Sequence, residues 1–288
     1  MVQCPGRRHE ALGLRTVAIQ RSVVAVPARL ASSRLPNKVL AEIAGQPMLR
    51  RVLDRCLAAP GPAAVVLCTD SEQLQRLAQA WGFPVVMTSP ACSSGSERIA
   101  SVAQQLVALG WGEQSAEWDP LTRQQRLAAT AVINVQGDQP LLDPQVVADM
   151  DQEFRNRDPV PPVITPVYRL KAETIHNPNV VKTLLAHDGR ALYFSRSAIP
   201  HVRDVDPEEW HAHASYWGHV GMYGFRGDVL AAWQAMPASP LENLERLEQL
   251  RLIEAGYTIS TFVVEGTSLS VDTAAQLQQA REIAFQAG

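Results

Sequence analysis

The first half of the chain alternates short apolar runs with amphipathic stretches, and this alternation constrains the fold more than any other feature. The apolar runs are rich in Val and Ile and show little polar alternation, and they are Val23–Ala28, Ala63–Thr69, Pro84–Thr88 and Thr130–Val135. Such runs are typical of strands that are buried on both faces. Helical patterns lie between them, near Pro47–Ala59, Glu72–Trp81, Ser96–Leu109 and Pro144–Arg157. The alternation predicts an α/β fold with a doubly wound, mostly parallel sheet, in which ligands bind beyond the carboxyl ends of the strands.

The pattern changes after about Pro161, where the sequence predicts an inserted region of antiparallel strands. Strands are predicted at Val163–Arg169, Val180–Ala186, Arg190–Ser195, His219–Phe225 and Thr258–Val264, and helices at Pro240–Ala255 and Thr273–Ala287. The Asp188-Gly189 pair between two of these strands is typical of a hairpin turn. We therefore expect a disordered extension at 1–22, an α/β domain at 23–160 and 258–288, and an insertion at 161–257.

Composition and charge exclude several classes of protein. The formal net charge of −3 gives no reason to expect a nucleic-acid partner, so an anion site must come from local clustering of Arg and Lys. The four cysteines have irregular spacings without a CxxC pair, which argues against a disulfide scaffold or a zinc site. No apolar run approaches the roughly 18 residues that span a bilayer, and no apolar segment of a signal peptide follows Arg7 and Arg8. We expect a cytoplasmic protein without a membrane partner.

A basic loop follows the first predicted strand. It places Arg29, Arg34 and Lys38 among small Ala and Ser residues. Small residues let backbone N–H groups approach a ligand, and the cations suit a highly charged triphosphate. The GxxxxGK[ST] pattern of a P-loop is absent, and a solvated basic loop is the alternative interpretation.

Two aspartates are candidate metal ligands. Asp138 follows the fourth predicted strand in Gln136-Gly137-Asp138, at the sheet edge where the basic loop also opens. Mg²⁺ binds one or two carboxylates together with phosphate oxygens, so Asp138 suits that role. Asp272 precedes the last predicted helix, although Asp at a helix N-cap is common and needs no metal.

The segment Ser93–Arg98 follows the third predicted strand and opens a helix. Hydroxyl groups and a glycine at a helix N-terminus favour an anion or a carbonyl ligand. Arg98, in the first turn, can reach the acceptor atoms O2 and N3 of a cytosine. A capping box formed by Ser94 and Glu97 explains the same pattern without a ligand.

Taken in order, these segments and several later ones resemble the 3-deoxy-manno-octulosonate cytidylyltransferase family, whose fold is the nucleotide-diphospho-sugar transferase type. The matching motifs are Val26–Arg29, Arg34–Lys38, Thr69-Asp70, Ser94–Arg98, Asn134–Pro140, Asn177–Lys182, Ala191–Arg196, His219–Phe225, Ser239–Glu242, Leu247–Arg251 and Val271–Thr273. The resemblance covers nearly the whole chain, and the ordered series is far more specific than any one motif. One departure is Cys92-Ser93, where the family usually has His-Gln.

The resemblance implies an enzyme that uses Mg²⁺ and CTP to attach CMP to the anomeric hydroxyl of 3-deoxy-D-manno-octulosonate (Kdo), with release of pyrophosphate. It implies nucleotide contacts from Arg29, Arg34, Lys38, Ser94, Gly95, Arg98, Gln136 and Asp138. It implies a catalytic set of Arg29, Lys38, Asp138 and Asp272, with Asp138 and Asp272 as the metal ligands. The implied sugar contacts are Gln136, Arg196, Arg203, His219, Tyr223, Glu248 and Gln249. A homodimer built through the insertion is also implied.

Three alternatives stay open at this point. For His219 and Tyr223, packing in the core is an alternative to sugar binding because both lie on an apolar strand. The acceptor can be another acidic sugar, such as 8-amino-Kdo or a sialic-acid-like sugar, although the loop lacks the Gly-Gly-Ser-Lys pattern of sialate enzymes. A non-catalytic nucleotide-binding relative is the third alternative, and the presence of both candidate metal carboxylates argues against it.

Overall fold

A computed structural model of the chain describes residues 17–32, 35–266 and 269–286. Its strands are β1 (Arg21–Ala28), β2 (Glu42–Ile43), β3 (Gln46–Pro47), β4 (Ala64–Thr69), β5 (Val85–Met87), β6 (Thr130–Asn134), β7 (Val163–Arg169), β8 (Lys182–Leu185), β9 (Arg190–Ser195), β10 (Trp217–His219), β11 (Tyr223–Arg226) and β12 (Ile259–Val263). Its α-helices are α1 (Met48–Leu57), α2 (Glu72–Ala80), α3 (Gly95–Ala100), α4 (Ala103–Trp111), α5 (Pro120–Ala128), α6 (Pro144–Asn156), α7 (Trp210–His213), α8 (Gly227–Ala231), α9 (Pro240–Glu245), α10 (Leu250–Glu254) and α11 (Ala274–Gln286).

The larger sheet has ten strands in the order β10-β8-β9-β12-β7-β11-β6-β1-β4-β5 within the described residues. β1 pairs in parallel with both β4 and β6, and β5 continues the sheet in parallel with β4. Parallel neighbours need crossover connections, which the helices between these strands provide. The carboxyl ends of β1, β4, β5 and β6 therefore lie along one edge of the sheet.

Helices cover both faces of this parallel half. Val24 and Val26 of β1 pack on the face that α1, α2 and α6 cover. Val23 and Ala25 point to the opposite face, where α4 and α8 complete a second apolar cluster. Successive strand residues point to opposite faces of the sheet. Because helices cover both faces here, nearly all side chains of β1 are buried, and most of them are apolar. The predicted doubly wound α/β architecture is confirmed.

The inserted strands extend the same sheet instead of forming a separate one. β11 pairs antiparallel with β6 of the first half and with β7. β12 lies between β7, which it pairs with in parallel, and β9, which it pairs with antiparallel. The last helix, α11, packs Leu277 and Ala280 against Ile43 and Met48 of the first half. The chain thus returns to the first half through α11, whereas β12 stays among the inserted strands.

Three predicted boundaries were wrong in ways that affect the site. The predicted strand His219–Phe225 is two strands, because the chain turns at Val220–Met222 between β10 and β11. The predicted helix Pro240–Ala255 is α9 and α10, since Arg246 has a left-handed backbone with φ +56° that ends α9. The predicted helix Ser96–Leu109 is likewise divided into α3 and α4.

Part of the predicted disordered extension belongs to the fold. Ile19 is buried in the core cluster that lines one face of the sheet, and β1 already begins at Arg21. Residues 1–16 of that predicted extension lie outside the described residues. In the part of the chain that the structure describes, no helix is both long and apolar enough to cross a membrane.

Candidate active site

A cavity of about 380 Å³ opens at the carboxyl ends of β1 and β6. Its wall is formed by the loops after β1, β5 and β6, by the turn between α9 and α10, and by the segment before α11. The lining residues are Pro27, Ala28, Arg29, Ala31, Ser32, Lys38, Val39, Cys92, Ser93, Ser94, Gly95, Arg98, Gln136, Gly137, Asp138, Glu248 and Asp272. The carboxyl ends of the parallel strands meet at this edge, which is where α/β sheets of this kind bind their ligands.

Most of the predicted nucleotide and metal residues share this one cavity. The structure brings together Arg29, Lys38, Ser94, Gly95, Arg98, Gln136, Asp138 and Asp272. Arg34, which was predicted as a phosphate ligand, lies outside the described residues. Of the predicted sugar contacts, Gln136 and Glu248 line the cavity.

Lys38 connects the two predicted metal carboxylates. Its Nζ donates to Asp138 Oδ2 at 2.7 Å and to Asp272 Oδ1 at 2.7 Å. Burial alone would lower the pKa of Lys38, but the two carboxylates outweigh it, so the pKa is raised. The segment before α11 is fixed to the loop after β6, because Val271 N donates to the main-chain oxygen of Asp138 at 2.9 Å. Ser270 Oγ also donates to Asp138 Oδ1, at 3.2 Å.

The two carboxylates suit a hard divalent cation. Oxygens of Asp138 and Asp272 lie within 2.7 Å of a single cationic nitrogen, so the pair already surrounds a point that favours positive charge. Among residues 17–32, 35–266 and 269–286, no group of three or more His, Cys, Asp and Glu side chains forms a metal cluster. Mg²⁺ typically takes only one or two protein carboxylates and completes its shell with substrate phosphates and water. The donor set therefore fits Mg²⁺ bound together with a nucleotide.

The start of α3 also borders the cavity. Ser94 is its N-cap, and its Oγ accepts a hydrogen bond from Glu97 N at 3.1 Å. The Glu97 carboxylate accepts from Ser93 N at 2.7 Å, so Ser94 caps the helix as predicted but the return bond goes to the residue before it. Gly95 lies so close to Gln136 that an added Cβ would be 3.0 Å from Gln136 Oε1. Only a glycine at this position leaves the Gln136 amide where it is.

Arg98 is buried beneath the cavity and is held by two partners. Its side chain is 3% exposed, and Nη2 donates to Asp70 Oδ2 at 2.9 Å. Its Nη1 donates to Thr88 Oγ1. Charge-assisted bonds of this kind fix a guanidinium in one orientation. Asp70 directly follows β4, and Asp138 lies shortly after β6. The expectation that functional residues follow the carboxyl ends of parallel strands could therefore have identified Asp70 from the sequence.

Glu248 links the cavity to the predicted sugar residues on β10 and β11. Its carboxylate accepts a hydrogen bond from Ser96 N at 3.2 Å, and burial raises its pKa. Burial and the nearby Glu248 charge also raise the pKa of Tyr223. The rings of Tyr223 and His219 are 5.1 Å apart, and His219 Nε2 is 3.0 Å from Thr165 Oγ1. Burial lowers the pKa of His219 to about 3, so this ring is neutral at ordinary pH.

Three other predicted sugar residues do not line the cavity in the described structure. Arg196 is half-buried at the end of β9, and its Nε donates to the main-chain oxygen of Glu245 at 2.8 Å. Gln249 is buried beside Glu248, and its Nε2 has no hydrogen-bond partner among the described residues. Arg203 is exposed and pairs with Asp204 at 3.3 Å.

An α/β sheet whose carboxyl edge holds cations, carboxylates and a helix N-terminus around one cavity defines a nucleotide-binding transferase. The cytidylyltransferase family model matches residues 23–259. The chain therefore belongs to the cytidylyltransferase family, as the ordered motifs predicted.

Individual relatives match almost end to end. The 3-deoxy-manno-octulosonate cytidylyltransferase of Chlorobaculum tepidum is 37% identical, with 91% of this chain and 96% of the relative covered. The enzyme of that name from Escherichia coli is 36% identical, with 93% and 98% covered. The solved structure of CMP:2-keto-3-deoxy-manno-octonic acid synthetase complexed with CTP has a TM-score of 0.80 at 36% identity, covering 93% of this chain and all of that one. A cytidylyltransferase from Leptospira borgpetersenii, at 13% identity and a TM-score of 0.54, shares the fold alone.

Proposed function

We propose that this enzyme transfers CMP from CTP to the anomeric hydroxyl of Kdo and gives CMP-Kdo and pyrophosphate. The observation that carries the proposal is the convergence of Lys38, Asp138 and Asp272 in a cavity that Arg29 also lines. Cations beside carboxylates suit a metal-bound triphosphate. Relatives that are 36–37% identical over nearly their whole length carry the corresponding enzyme name.

The nucleotide occupies the wall formed by the loops after β1, β5 and β6. We assign Arg29 and Lys38 to the triphosphate, together with the backbone around Ala31 and Ser32, because these residues line the cavity. We assign Ser94, Gln136 and Arg98 to the base and ribose, because all three line the same cavity. We also assign Arg34 to the phosphates because it belongs to the same basic loop in the sequence.

Asp138 and Asp272 would hold Mg²⁺ at this edge of the cavity. When bound, the ion supplies Lewis-acid polarisation of the α-phosphate and lowers the pKa of a coordinated hydroxyl. Ser270 and the Val271 main chain keep the Asp138 side chain and backbone in place. Fixing both carboxylates before substrate arrives reduces the reorganisation that the reaction requires.

The acidic sugar binds on the side of Glu248. The Glu248 carboxylate can accept hydrogen bonds from sugar hydroxyls, and the Gln249 amide can both donate and accept them. Arg196 and Arg203 can pair with the sugar carboxylate. Neutral His219 and the Tyr223 phenol add uncharged polar groups behind Glu248. We assign Arg196, Arg203 and Gln249 to this group from the sequence, although none of the three lines the cavity wall.

The reaction follows from this placement. The anomeric oxygen of the sugar forms a bond to the α-phosphorus of CTP, and the bond from the α-phosphorus to the bridging oxygen of pyrophosphate breaks. The proton of the anomeric hydroxyl leaves to solvent. Arg29 and Lys38 stabilise the negative charge that develops on the departing pyrophosphate. Positioning and charge stabilisation carry most of the rate, as in phosphoryl transfer generally.

We further propose a cytoplasmic homodimer that supplies an activated sugar for lipopolysaccharide biosynthesis, with 23–160 and 258–288 binding the nucleotide. Region 161–257 would provide most sugar contacts and the dimer contacts. Analytical ultracentrifugation tests the dimer, and a monomer at micromolar concentration would contradict it.

The decisive experiment measures pyrophosphate release with CTP and Mg²⁺ in separate reactions with Kdo, 8-amino-Kdo and sialic acid. We expect release with Kdo. Release only with 8-amino-Kdo or only with sialic acid would identify a different acidic sugar as the acceptor. No release with any acceptor, from protein that still binds CTP, would indicate a non-catalytic relative and contradict the proposal.

A further inference from the structure

The carboxylate of Glu245 holds the end of strand β9. Its Oε1 accepts a hydrogen bond from Ser195 Oγ at 2.6 Å, and its Oε2 accepts from Arg196 N at 2.9 Å. The main-chain oxygen of Glu245 accepts from Arg196 Nε at 2.8 Å. One residue therefore fixes both the backbone and the side chain of Arg196.

The Arg196 peptide is also held from its other side. The buried ammonium of Lys182 donates to the main-chain oxygen of Arg196 and to those of Asn177 and Val180, the last two at 2.8 and 2.7 Å. Arg196 Nη1 donates to the main-chain oxygen of Pro178 at 3.1 Å. With the amide of Arg196 bound to Glu245 and its carbonyl bound to Lys182, the backbone on both sides of Arg196 is held in place.

Glu245 also stands at the break that points Glu248 into the cavity. It is the last residue of α9, and Arg246 follows with a left-handed backbone that few non-glycine residues adopt. Leu247 is then buried, and Glu248 reaches the cavity wall and Ser96 N. The direction of the chain after the break depends on how α9 is anchored before it, and Glu245 is an anchor at that end.

We propose that Glu245 is a positioning residue for the acidic sugar, which sets the placement of Arg196 relative to Glu248. This inference rests on the proposed function, since it assigns both residues to the sugar side. Glu245 itself contacts β9 and is absent from the cavity lining among the described residues. A change at Glu245 should therefore affect the sugar far more than the nucleotide.

Glu245→Gln is the informative variant, because an amide keeps the shape but presents N–H groups to one of two donors. Glu254→Gln is its matched control. Glu254 also accepts from a serine hydroxyl, Ser239 Oγ, and from a backbone amide, Leu241 N at 3.2 Å, in the same pair of helices. Ser195→Ala removes only one of the bonds to Glu245 and serves as a milder second variant.

Steady-state kinetics with CTP and Kdo, and hydrogen exchange without substrate, test the proposal. In Glu245→Gln we expect the KM for Kdo to rise by about tenfold while the KM for CTP changes by less than about twofold. Ser195→Ala should shift the KM for Kdo in the same direction by a smaller factor, and Glu254→Gln should leave both KM values near those of the wild type. Amide exchange should accelerate at Arg196 and across 246–249 in Glu245→Gln.

The outcomes separate the two proposals. A wild-type protein that releases no pyrophosphate with Kdo contradicts the proposed function, and the exchange experiment then still tests the role of Glu245. An active wild type with an unchanged Kdo KM in Glu245→Gln, or with equal changes in both KM values, overturns the positioning role. Unchanged exchange at Arg196 and 246–249 overturns it as well.

Discussion

Asp138 and Asp272, which are far apart in the sequence, both accept a hydrogen bond from the ammonium nitrogen of Lys38, each at 2.7 Å. The loop after β6 and the segment before α11 supply these carboxylates, and the loop after β1 supplies the lysine. Three separate parts of the chain therefore meet at one charged point. Attraction between opposite charges and the bond from Val271 N to the Asp138 oxygen hold them there.

Removing either carboxylate charge should abolish turnover without unfolding the protein. In Asp138→Asn and in Asp272→Asn, we expect pyrophosphate release to fall by at least about a hundredfold, since a hard cation loses an anionic ligand. Circular dichroism should show the wild-type fold. Asp54→Asn, which removes a carboxylate paired with Arg50 at 2.8 Å outside the cavity, is the control and should keep its activity. Near-wild-type turnover of either variant would remove that residue from the catalytic set.

Removing the ammonium of Lys38 should make the protein depend on a divalent cation for stability. In Lys38→Met, Asp138 and Asp272 lose the ammonium that they share, which we expect to cost about 1–3 kcal/mol in metal-free buffer. Mg²⁺ should then raise the melting temperature of Lys38→Met more than that of the wild type, because binding stabilises the folded state. Turnover should fall sharply. An equal Mg²⁺ response in both proteins would show that this pair does not hold the ion.

A methyl group at Gly95 should weaken nucleotide binding. The new Cβ would lie 3.0 Å from Gln136 Oε1 and 3.2 Å from Pro27 Cγ, so the Gln136 amide has to move. We expect Gly95→Ala to raise the KM for CTP by about tenfold. Gly221→Ala is the control, because its added Cβ meets nothing nearer than Gln139 Nε2 at 4.0 Å. Equal CTP affinity in the two variants would mean that Gln136 takes no part in nucleotide binding.

Neutralising Asp70 should act through Arg98. Asp70→Asn keeps the shape of the side chain but removes the charge that orients a guanidinium only 3% exposed. We expect a higher KM for CTP, an unchanged KM for Kdo and a loss of about 1–3 kcal/mol of stability. Asp228→Asn removes the partner of Arg226 outside the cavity and should lower stability alone. A CTP affinity that is equal in wild type and Asp70→Asn would contradict the role of Arg98 in nucleotide binding.

The sequence was sufficient to predict the α/β architecture and much of the cavity. Strands that helices cover on both faces have no polar face, so they appear in the sequence as continuous runs of Val and Ile and can be recognised there. Residues that follow parallel strands meet at one edge, so Lys38, Gln136 and Asp138 could be predicted to lie together. Asp272 was the weaker candidate from the sequence alone, because an aspartate before a helix has an ordinary capping role, and the resemblance strengthened it.

The remaining parts of the site depend on contacts between distant segments. The helical sequence pattern continues through Arg246 without a glycine or a proline. The sequence therefore gives no sign of the break between α9 and α10 that places Glu248 at the cavity. The role of Glu245 arises only once β9 is in place beside the end of α9. For His219, an apolar strand pattern is compatible with both packing and binding, and only the neighbouring Tyr223 and Thr165 show how the ring is held.

The half-buried ring of His219 should make the protein sensitive to acid. The pKa of His219 falls from 6.5 in the unfolded chain to about 3 in the folded protein. Between these two pH values the unfolded chain is protonated at His219 and the folded protein is not. Stability from this residue is complete above pH 6.5 and is lost as the pH falls toward 3. Across that interval the wild type should lose up to about 1.4 kcal/mol of unfolding free energy per pH unit relative to His219→Gln. Urea unfolding at several pH values measures this difference, and His213→Gln, at an exposed position, should follow the wild type. If the unfolding free energies of wild type and His219→Gln changed with pH in parallel, His219 would have the same pKa in both states. The conclusion that its ring is neutral in the folded protein would then be wrong.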